Sequence, residues 1–145
     1  MTKLEHSVVI GAPLDKVFDF TTDWRNFANY FGYVREVKPA TEKTVGEGAR
    51  FSVRVKFMGM MMSSEWEMTE YVKNDRMTFI TPLTGVRAIK RWRFIAVEGS
   101  TRVNFSLEYK PWPLFGPLLD VLFIKSYWDK LSEKLVQNLK RLIEA

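Results

Sequence analysis

The chain has 145 residues, no cysteine and a single histidine, which excludes disulfides, thiolate metal sites, a thiol nucleophile and any multi-histidine metal site. Its apolar fraction of 46% and charged fraction of 27% are typical of a soluble globular protein, and we expect one domain over residues 1–145. The net charge of +5 is mild and acidic residues are interspersed throughout, so we expect no nucleic-acid partner.

The sequence contains no recognisable targeting or membrane-spanning segment. Its first residues lack the apolar core of a secretory signal peptide. No run reaches the roughly 18 apolar residues that a membrane span requires, and the nearest candidate, Pro111–Ile124, is shorter and contains Asp120. We therefore expect a cytoplasmic protein.

The first third of the chain predicts one strand and two short helices. Apolar and polar side chains alternate over Leu4–Ile10, which is typical of a half-buried strand. Apolar residues then recur at helical spacing over Pro13–Thr22, and proline is well tolerated as the first residue of a helix. Asp23 is suited to cap a second short helix, which Gly32 would end.

Strands and turns follow as far as residue 110. The apolar runs are separated by short turns rich in glycine and polar residues, and such short connections force antiparallel pairing between successive strands. The predicted strands are Tyr33–Pro39, Phe51–Phe57, Ser64–Val72, Met77–Thr81, Val86–Ile95 and Thr101–Tyr109.

The last part of the chain predicts one long helix. After Pro117 there is no further proline or glycine, and a helix of about 25 residues would be about 38 Å long. Its apolar stripe consists of Ile124, Trp128, Leu131, Leu135, Leu139 and Leu142. Such a stripe needs a large partner surface. We therefore predict an α+β fold in which a curved antiparallel sheet of six to seven strands wraps around the long C-terminal helix, with two short helices after the first strand.

The distribution of charge indicates which side chains face the helix. In the strand that contains Arg54 and Lys56, the alternating apolar residues must face inward. In Val86–Ile95, the register that leaves the arginines in water is the cheaper one, because burying unpaired charges costs several kcal/mol. Glu65 and Glu67 fall on the outer face, where we expect them to pair with Arg54 and Lys56 on the neighbouring strand.

Several stretches resemble one protein family. Val9–Phe20 resembles the I-x-A-P-x-x-x-V-[FW] signature of the polyketide cyclase/dehydrase branch of the START-like (SRPBCC) superfamily, whose archetype is the birch-pollen-allergen fold. Gly46–Arg50, Trp66–Tyr71 and Gly99–Val103 resemble the same family. The resemblance implies a helix-grip fold over essentially the whole chain. Because this fold hosts lipid carriers, cyclases, hydroxylase subunits, coenzyme Q-binding proteins and chaperone activators, function must be argued from the site.

The resemblance also implies a large apolar cavity between the sheet and the long helix. We expect it to bind a hydrophobic small molecule, such as a lipid, an isoprenoid or a polyketide-like compound, without a cofactor or a metal. The predicted ligand-binding residues are apolar or aromatic side chains of the inward face and the rim: Phe27, Tyr30, Phe31, Phe57, Met62, Trp66, Met68, Phe79, Trp92, Phe105, Leu119, Phe123 and Tyr127.

Two other functions stay open at this stage. A cyclase or dehydratase would use the same cavity for a reaction, whereas a protein-interaction module would have a filled core and no ligand. Met58–Met62 and Leu114–Phe123 are candidate surfaces for transient contact with a membrane or a protein, or else ordinary hairpin-tip and buried residues. We expect a monomer or a weak dimer.

The sequence contains no obvious catalytic constellation. His6, Glu70 and Lys90 face inward by strict alternation and are weak candidates for catalysis. A lone histidine in that position is more often structural, and we expect a bulge or a strand end to place Glu70 and Lys90 in water. Whether the protein is an enzyme stays undecided from the sequence.

Overall fold

A computed structural model of the chain describes residues 1–82, 86–111 and 116–145, apart from the side chains of residues 116, 117, 121 and 122. Its strands are β1 (Thr2–Ile10), β2 (Val34–Pro39), β3 (Arg50–Phe57), β4 (Met60–Val72), β5 (Arg76–Ile80), β6 (Ala88–Val97) and β7 (Ser100–Tyr109). They form one sheet in the order β1-β7-β6-β5-β4-β3-β2, and all neighbours are antiparallel. The predicted antiparallel α+β architecture is confirmed.

The helices form two groups, one before β2 and one after β7 along the chain. Two short helices follow β1, namely α1 (Leu14–Thr22) and α2 (Phe27–Tyr30), with a 3₁₀ turn at Trp24–Asn26 between them. The Asp23 side chain accepts a hydrogen bond from the Arg25 N–H, as its predicted capping role requires. The C-terminal region contains α3 (Gly116–Leu119), a π-helical turn (Asp120–Ile124) and α4 (Lys125–Glu144). The long helix is thus interrupted near its start, which the sequence pattern did not reveal.

Two tight hairpins fix the register of neighbouring strands. Met58 and Gly59 connect β3 to β4 with φ angles of 50° and 84°, and Glu98 and Gly99 connect β6 to β7 with 49° and 83°. Positive φ at both central residues is the geometry of a type I′ turn, whose twist matches that of the flanking strands. Glycine adopts this conformation without steric penalty, which explains its place in each turn.

The outer-face ion pairs differ from the predicted ones. Arg50 lies directly opposite Glu67, and its guanidinium is 3.2 Å from Glu67 and 3.6 Å from Glu65. Arg54 instead faces Ser63 across the strands, so the predicted pairs of Arg54 and Lys56 with the two glutamates are wrong. The hairpin at Met58–Gly59 sets this register, which sequence alternation alone does not determine.

The core lies between the concave face of the sheet and α4. Leu135, Val136, Leu139 and Ile143 form the buried stripe of α4, close to the predicted one. Polar contacts tie this helical region to β1: Lys140 Nζ donates to the Val9 carbonyl over 2.8 Å, and the Gly11 N–H donates to Glu144 over 2.7 Å. The C-terminal end of the edge strand β1 is therefore fastened to the C-terminal end of α4.

Candidate functional site

A cavity of about 50 Å³ lies between the sheet and the N-terminal end of α4. Inward side chains of the central strands and residues of the C-terminal helical region form its wall. The apolar part of this wall includes Val55, Phe57, Ala88, Leu107 and Ile124. The polar part consists of Ser64, Thr81, Lys90, Tyr109 and Asp120, together with the Tyr33 hydroxyl and the Trp128 indole. A mostly apolar wall with a few convergent polar groups is typical of a small-molecule site.

Lys90 is the most unusual residue of this wall. It is the third residue of β6 and lies opposite Phe79, and only 3% of its surface is exposed. Four aromatic rings surround its ammonium: the distances from Nζ to the ring centroids are 4.5 Å, 5.2 Å, 5.6 Å and 5.9 Å for Trp66, Tyr33, Phe31 and Trp128. Aromatic faces attract a cation within about 6 Å, so these rings form a cage for the ammonium.

Burial has a direct consequence for the charge of this lysine. Removal of the amine from water lowers the pKa of Lys90 from 10.5 to about 7, because the charged form loses its hydration. The surrounding rings favour the charged form and act against that shift. Both protonation states of Lys90 are therefore accessible near neutral pH.

Asp120 brings a carboxylate to the same cavity. It is the first residue of the π-helical turn, only 4% exposed, and it accepts hydrogen bonds from Thr2 Oγ1 over 2.5 Å and from the Tyr109 hydroxyl. Burial, and then the contact with Asp120, raise the pKa of Tyr109 above its usual range, so this phenol stays protonated. The π-helical turn is a local insertion in the helix of a kind that is frequent at functional sites.

Two hydroxyl groups complete the polar lining. Ser64 Oγ donates to the Pro82 carbonyl. Thr81 Oγ1 is buried and has no hydrogen-bond partner among the described residues. Since buried polar groups are nearly always paired in native proteins, a lone hydroxyl on a cavity wall marks a place where a ligand could accept or donate a hydrogen bond.

Most of the predicted ligand-binding residues lie in a filled aromatic core next to the cavity. Each of these side chains is 2% exposed or less, and the Tyr30 hydroxyl donates to the Thr21 carbonyl over 2.8 Å. Their rings pack mainly edge to face, for example Phe27 on Phe79 at 5.5 Å. The residues of this group are Phe27, Tyr30, Phe31, Met68, Phe79, Trp92 and Phe105.

The remaining predicted ligand-binding residues lie at the cavity or beside it. Phe57 and Trp66 line it, and Met62 packs partly buried against the core. Tyr127 places its ring 5.4 Å from that of Phe57, and its hydroxyl accepts a hydrogen bond from the Met58 N–H. Leu119 and Phe123 are 41% and 60% exposed. The role of all these residues in ligand binding stays a prediction.

Of the three weak catalytic candidates, His6 and Glu70 line one pocket and Lys90 lines another. His6 Nε2 is 2.8 Å from Asp129 Oδ1, a contact that joins β1 to α4. Glu70 follows a bulge in β4, as predicted, and reaches Arg76 at 3.2 Å. Lys90 was expected to reach water through a bulge or a strand end, and this is wrong: β6 keeps a regular register there and turns Lys90 into the core.

The predicted contact surfaces are exposed only in part, since Met62 is half-buried and Asp120 is 4% exposed. Met58, Met60 and Met61 at the β3–β4 hairpin are 55%, 65% and 47% exposed, and Leu118 is 60% exposed. Leu114 and Phe115, which belong to the other predicted surface, lie outside the described residues.

Sequence reasoning missed the contributions of Tyr109, Thr81 and Asp120 to the cavity. Asp120 did carry a signal, since it is an isolated acid in an otherwise apolar stretch. Its inward position depends on the π-helical turn, however, and that turn has no sequence signature that we could identify.

No helix in the described parts of the chain is long and apolar enough to cross a membrane. Within the same residues, no three histidine or acidic side chains are arranged to hold a metal ion.

Comparison with known proteins identifies the family of the chain. The family model described as polyketide cyclase/dehydrase and lipid transport matches residues 1–144. No curated protein sequence matches the chain.

Three solved structures illustrate the similarity of the fold. The protein TTHA0849 from Thermus thermophilus has 23% identity and a TM-score of 0.82, covering 98% of this chain and 97% of its own. A START superfamily protein from Mycobacterium smegmatis has 13% identity and a TM-score of 0.71, with coverages of 97% and 98%. The Zhui aromatase/cyclase from Streptomyces sp. R1128 has 16% identity and a TM-score of 0.72, with coverages of 97% and 95%.

At such identities the structural likeness shows the fold alone, whereas the family model matches the sequence itself over nearly its whole length. Together with a seven-stranded antiparallel sheet packed on one long C-terminal helix, this match shows that the chain belongs to the polyketide cyclase/dehydrase and lipid transport family.

Proposed function

We propose that the protein binds a hydrophobic small molecule, such as a lipid, an isoprenoid or a polyketide-like compound, in the cavity between the sheet and α4. The observation that carries this proposal is the cavity itself, with its apolar wall and a few inward polar groups at one place. The family match supports the same reading, since lipid transport is part of the family description.

The size of the cavity constrains how binding would occur. A volume of about 50 Å³ holds only a few water molecules. Ligand sites commonly measure several hundred Å³, roughly 300 or more. A larger ligand would therefore have to displace side chains at the helical wall, and the half-buried Ile124 and Trp128 are the ones we expect to move.

Burial of apolar surface would supply most of the binding free energy. The gain is about 25 cal/mol per Å² of apolar surface removed from water, and the cost of association and of opening the cavity is subtracted from it. Ligands with long apolar portions should bind more tightly than short ones until they exceed the space available.

The first experiment is native mass spectrometry of the purified protein, with an organic extract of the same sample analysed in parallel. We expect a discrete excess mass that reappears in the extract as an apolar compound. A bare protein mass, combined with no rise in melting temperature when apolar compounds such as decanol are added, would contradict the proposal, because any ligand of the native state must stabilise it.

A matched pair of variants tests the location of the site. Ala88 lines the cavity on β6, whereas Ala96 lies exposed on the same strand. Ala88→Leu should fill the cavity and weaken decanol binding, and Ala96→Leu should leave it unchanged, as measured by titration calorimetry. Equal affinity of the two variants would place the ligand elsewhere.

A polyketide cyclase or dehydratase reaction is the second candidate function. The observation that favours it is Lys90, whose pKa of about 7 suits proton transfer at neutral pH, inside an apolar cavity. The neutral amine would remove a proton from the carbon next to a ketone.

That reaction can be detected without knowing the substrate. 2-Decanone incubated with the protein in D₂O should acquire deuterium beside its carbonyl faster than in buffer, and Lys90→Met should abolish the acceleration. Exchange at the buffer rate with the unaltered protein would argue against this candidate and leave ligand binding as the function.

A further inference from the structure

Lys90 is a buried cation without an acidic partner. Burial of an ammonium is costly unless an anion compensates it. In the described part of the chain no carboxylate lies within 4.0 Å of its Nζ, and residues 83–85 and 112–115 contain no acidic residue by sequence. The aromatic cage offsets part of the cost but supplies no negative charge.

The carboxylate that does line the cavity is already engaged. Asp120 accepts hydrogen bonds from Thr2 and Tyr109, which hold it on the helical side of the cavity. The cavity therefore contains a cation whose charge no residue of the described chain neutralises at contact distance.

Thr81 adds a hydrogen-bond donor on the same side. It lies opposite Ala88 where β5 ends, since its N–H bonds to the Ala88 carbonyl, and Lys90 is two residues further along β6. Diagonal neighbours of this kind are separated by about 7 Å. Thr81 Oγ1 has no partner among the described residues. An acceptor placed between the two side chains could meet both a hydroxyl and an ammonium.

We propose that the ligand is an amphipathic carboxylic acid, with its carboxylate bound by Lys90 and its apolar chain against the wall formed by Val55, Phe57, Leu107 and Ile124. This inference rests on the proposed ligand-binding function and narrows its ligand class. The carboxylate neutralises the buried ammonium, Thr81 donates to the same head group, and the rings of Phe31, Tyr33 and Trp66 hold the lysine side chain in position.

The pairing also changes the protonation of Lys90. A bound carboxylate favours the ammonium and raises the pKa of Lys90 from its value of about 7 in the empty cavity. The other titratable groups that face this part of the cavity are Tyr33, Tyr109 and Asp120. Burial raises the pKa of both tyrosines, so that neither ionises in the range where Lys90 titrates.

The experiment compares decanoate with decanol, which share a ten-carbon chain and differ in the charge of the head group. At pH 6.5, where Lys90 is largely protonated, the unaltered protein should bind decanoate about tenfold or more tightly than decanol, as measured by calorimetry. Lys90→Met should bind decanol more tightly than decanoate, and so should still bind decanol. Thr81→Val should weaken the binding of decanoate more than the binding of decanol.

Controls separate a specific pair from a general effect of charge. Lys56 is exposed on the outer face of β3, and Lys56→Met should leave both affinities unchanged. A second measurement needs no variant: the pKa of Lys90, followed by NMR of its side chain, should rise on addition of decanoate and stay constant with decanol.

The outcomes distinguish the two proposals. Tighter or equal binding of decanol by the unaltered protein would overturn the carboxylate proposal and leave the proposed function intact. Binding of neither compound would overturn both. The carboxylate proposal would also be overturned if Lys90→Met still preferred decanoate and if decanoate left the Lys90 pKa of the unaltered protein unchanged. The head group would then be bound elsewhere.

Discussion

Lys90 illustrates how one residue can conflict with the ordinary rule that charges stay in water. Strict alternation placed it inward, yet the cost of burying a charge argued for a bulge or a strand end. The four rings that surround its ammonium come from the turn between α2 and β2, from β4 and from α4, so no local sequence pattern brings them together. The physical argument failed because it omitted a compensation that only the tertiary structure creates.

The first prediction concerns the pH dependence of stability. Because the pKa of Lys90 is about 7 when folded and 10.5 ordinarily, the unfolded chain binds the proton between these values while the folded chain does not. Stability therefore rises with pH in this window, by up to about 1.4 kcal/mol per pH unit for this residue. Lys90→Met should lack that slope and should be more stable at pH 6 by about 1–4 kcal/mol.

The measurement is urea unfolding of both proteins between pH 6 and pH 9, below the pKa of about 10 of an ordinary tyrosine. Taking the difference between the two proteins cancels the contributions of other groups. Parallel profiles over the whole range would mean that Lys90 keeps an ordinary pKa in the folded protein.

The second prediction concerns Asp120 and Tyr109, which sequence reasoning missed. Asp120→Ala should destabilise the protein by about 1–3 kcal/mol, because the buried Tyr109 hydroxyl loses its acceptor. In a Tyr109→Phe background the same change should cost less, since that unpaired hydroxyl is then absent. A double-mutant cycle in urea measures the coupling; strictly additive costs would show that the contact contributes no coupling energy.

At the scale of elements, most of the architecture could be predicted from the sequence. The period of two in the strands, the period of three to four in the C-terminal helix and the short turns were sufficient for element type and order. The observed bounds of some elements differ from the predicted ones by a few residues. For example, β4 begins at Met60 and not at Ser64. The π-helical turn at Asp120–Ile124 and the pairing of Arg50 with two glutamates were not predictable, because both depend on register and packing rather than on periodicity.

The third prediction concerns the β3–β4 hairpin. Met58 has a φ of 50°, a conformation that costs an ordinary residue free energy and that asparagine adopts more easily. Met58→Asn should therefore stabilise the protein by about 0.5–1 kcal/mol, since the Met58 side chain is 55% exposed and little packing is lost. Gly59→Ala, at a φ of 84°, should destabilise it by about 1 kcal/mol or more.

Thermal unfolding of the two hairpin variants checks this prediction. A lower melting temperature for Met58→Asn would contradict it. The contacts of the methionine side chain would then stabilise the protein by more than the relief of backbone strain does.

At the scale of the whole molecule, stability depends on the packing of α4 against the sheet. Leu135 is 1% exposed in the centre of the buried stripe, and Leu135→Ala should cost about 2–5 kcal/mol through lost burial and a residual cavity. Leu118→Ala, at a position 60% exposed, should change stability by less than about 0.5 kcal/mol. Urea unfolding of both variants tests the contrast, and comparable losses would mean that the exposed residue is buried in solution by a partner.

The attachment of β1 to the C-terminal helical region determines the order in which the molecule can assemble. Hydrogen bonds from Thr2, His6 and Gly11 reach partners 118, 123 and 133 positions further along the chain. During synthesis on the ribosome β1 emerges well before β7 and α4, against which it packs. Such long-range closure slows folding and leaves apolar strand faces uncovered in the meantime. The nascent chain should therefore need protection from aggregation until its last helix has been released.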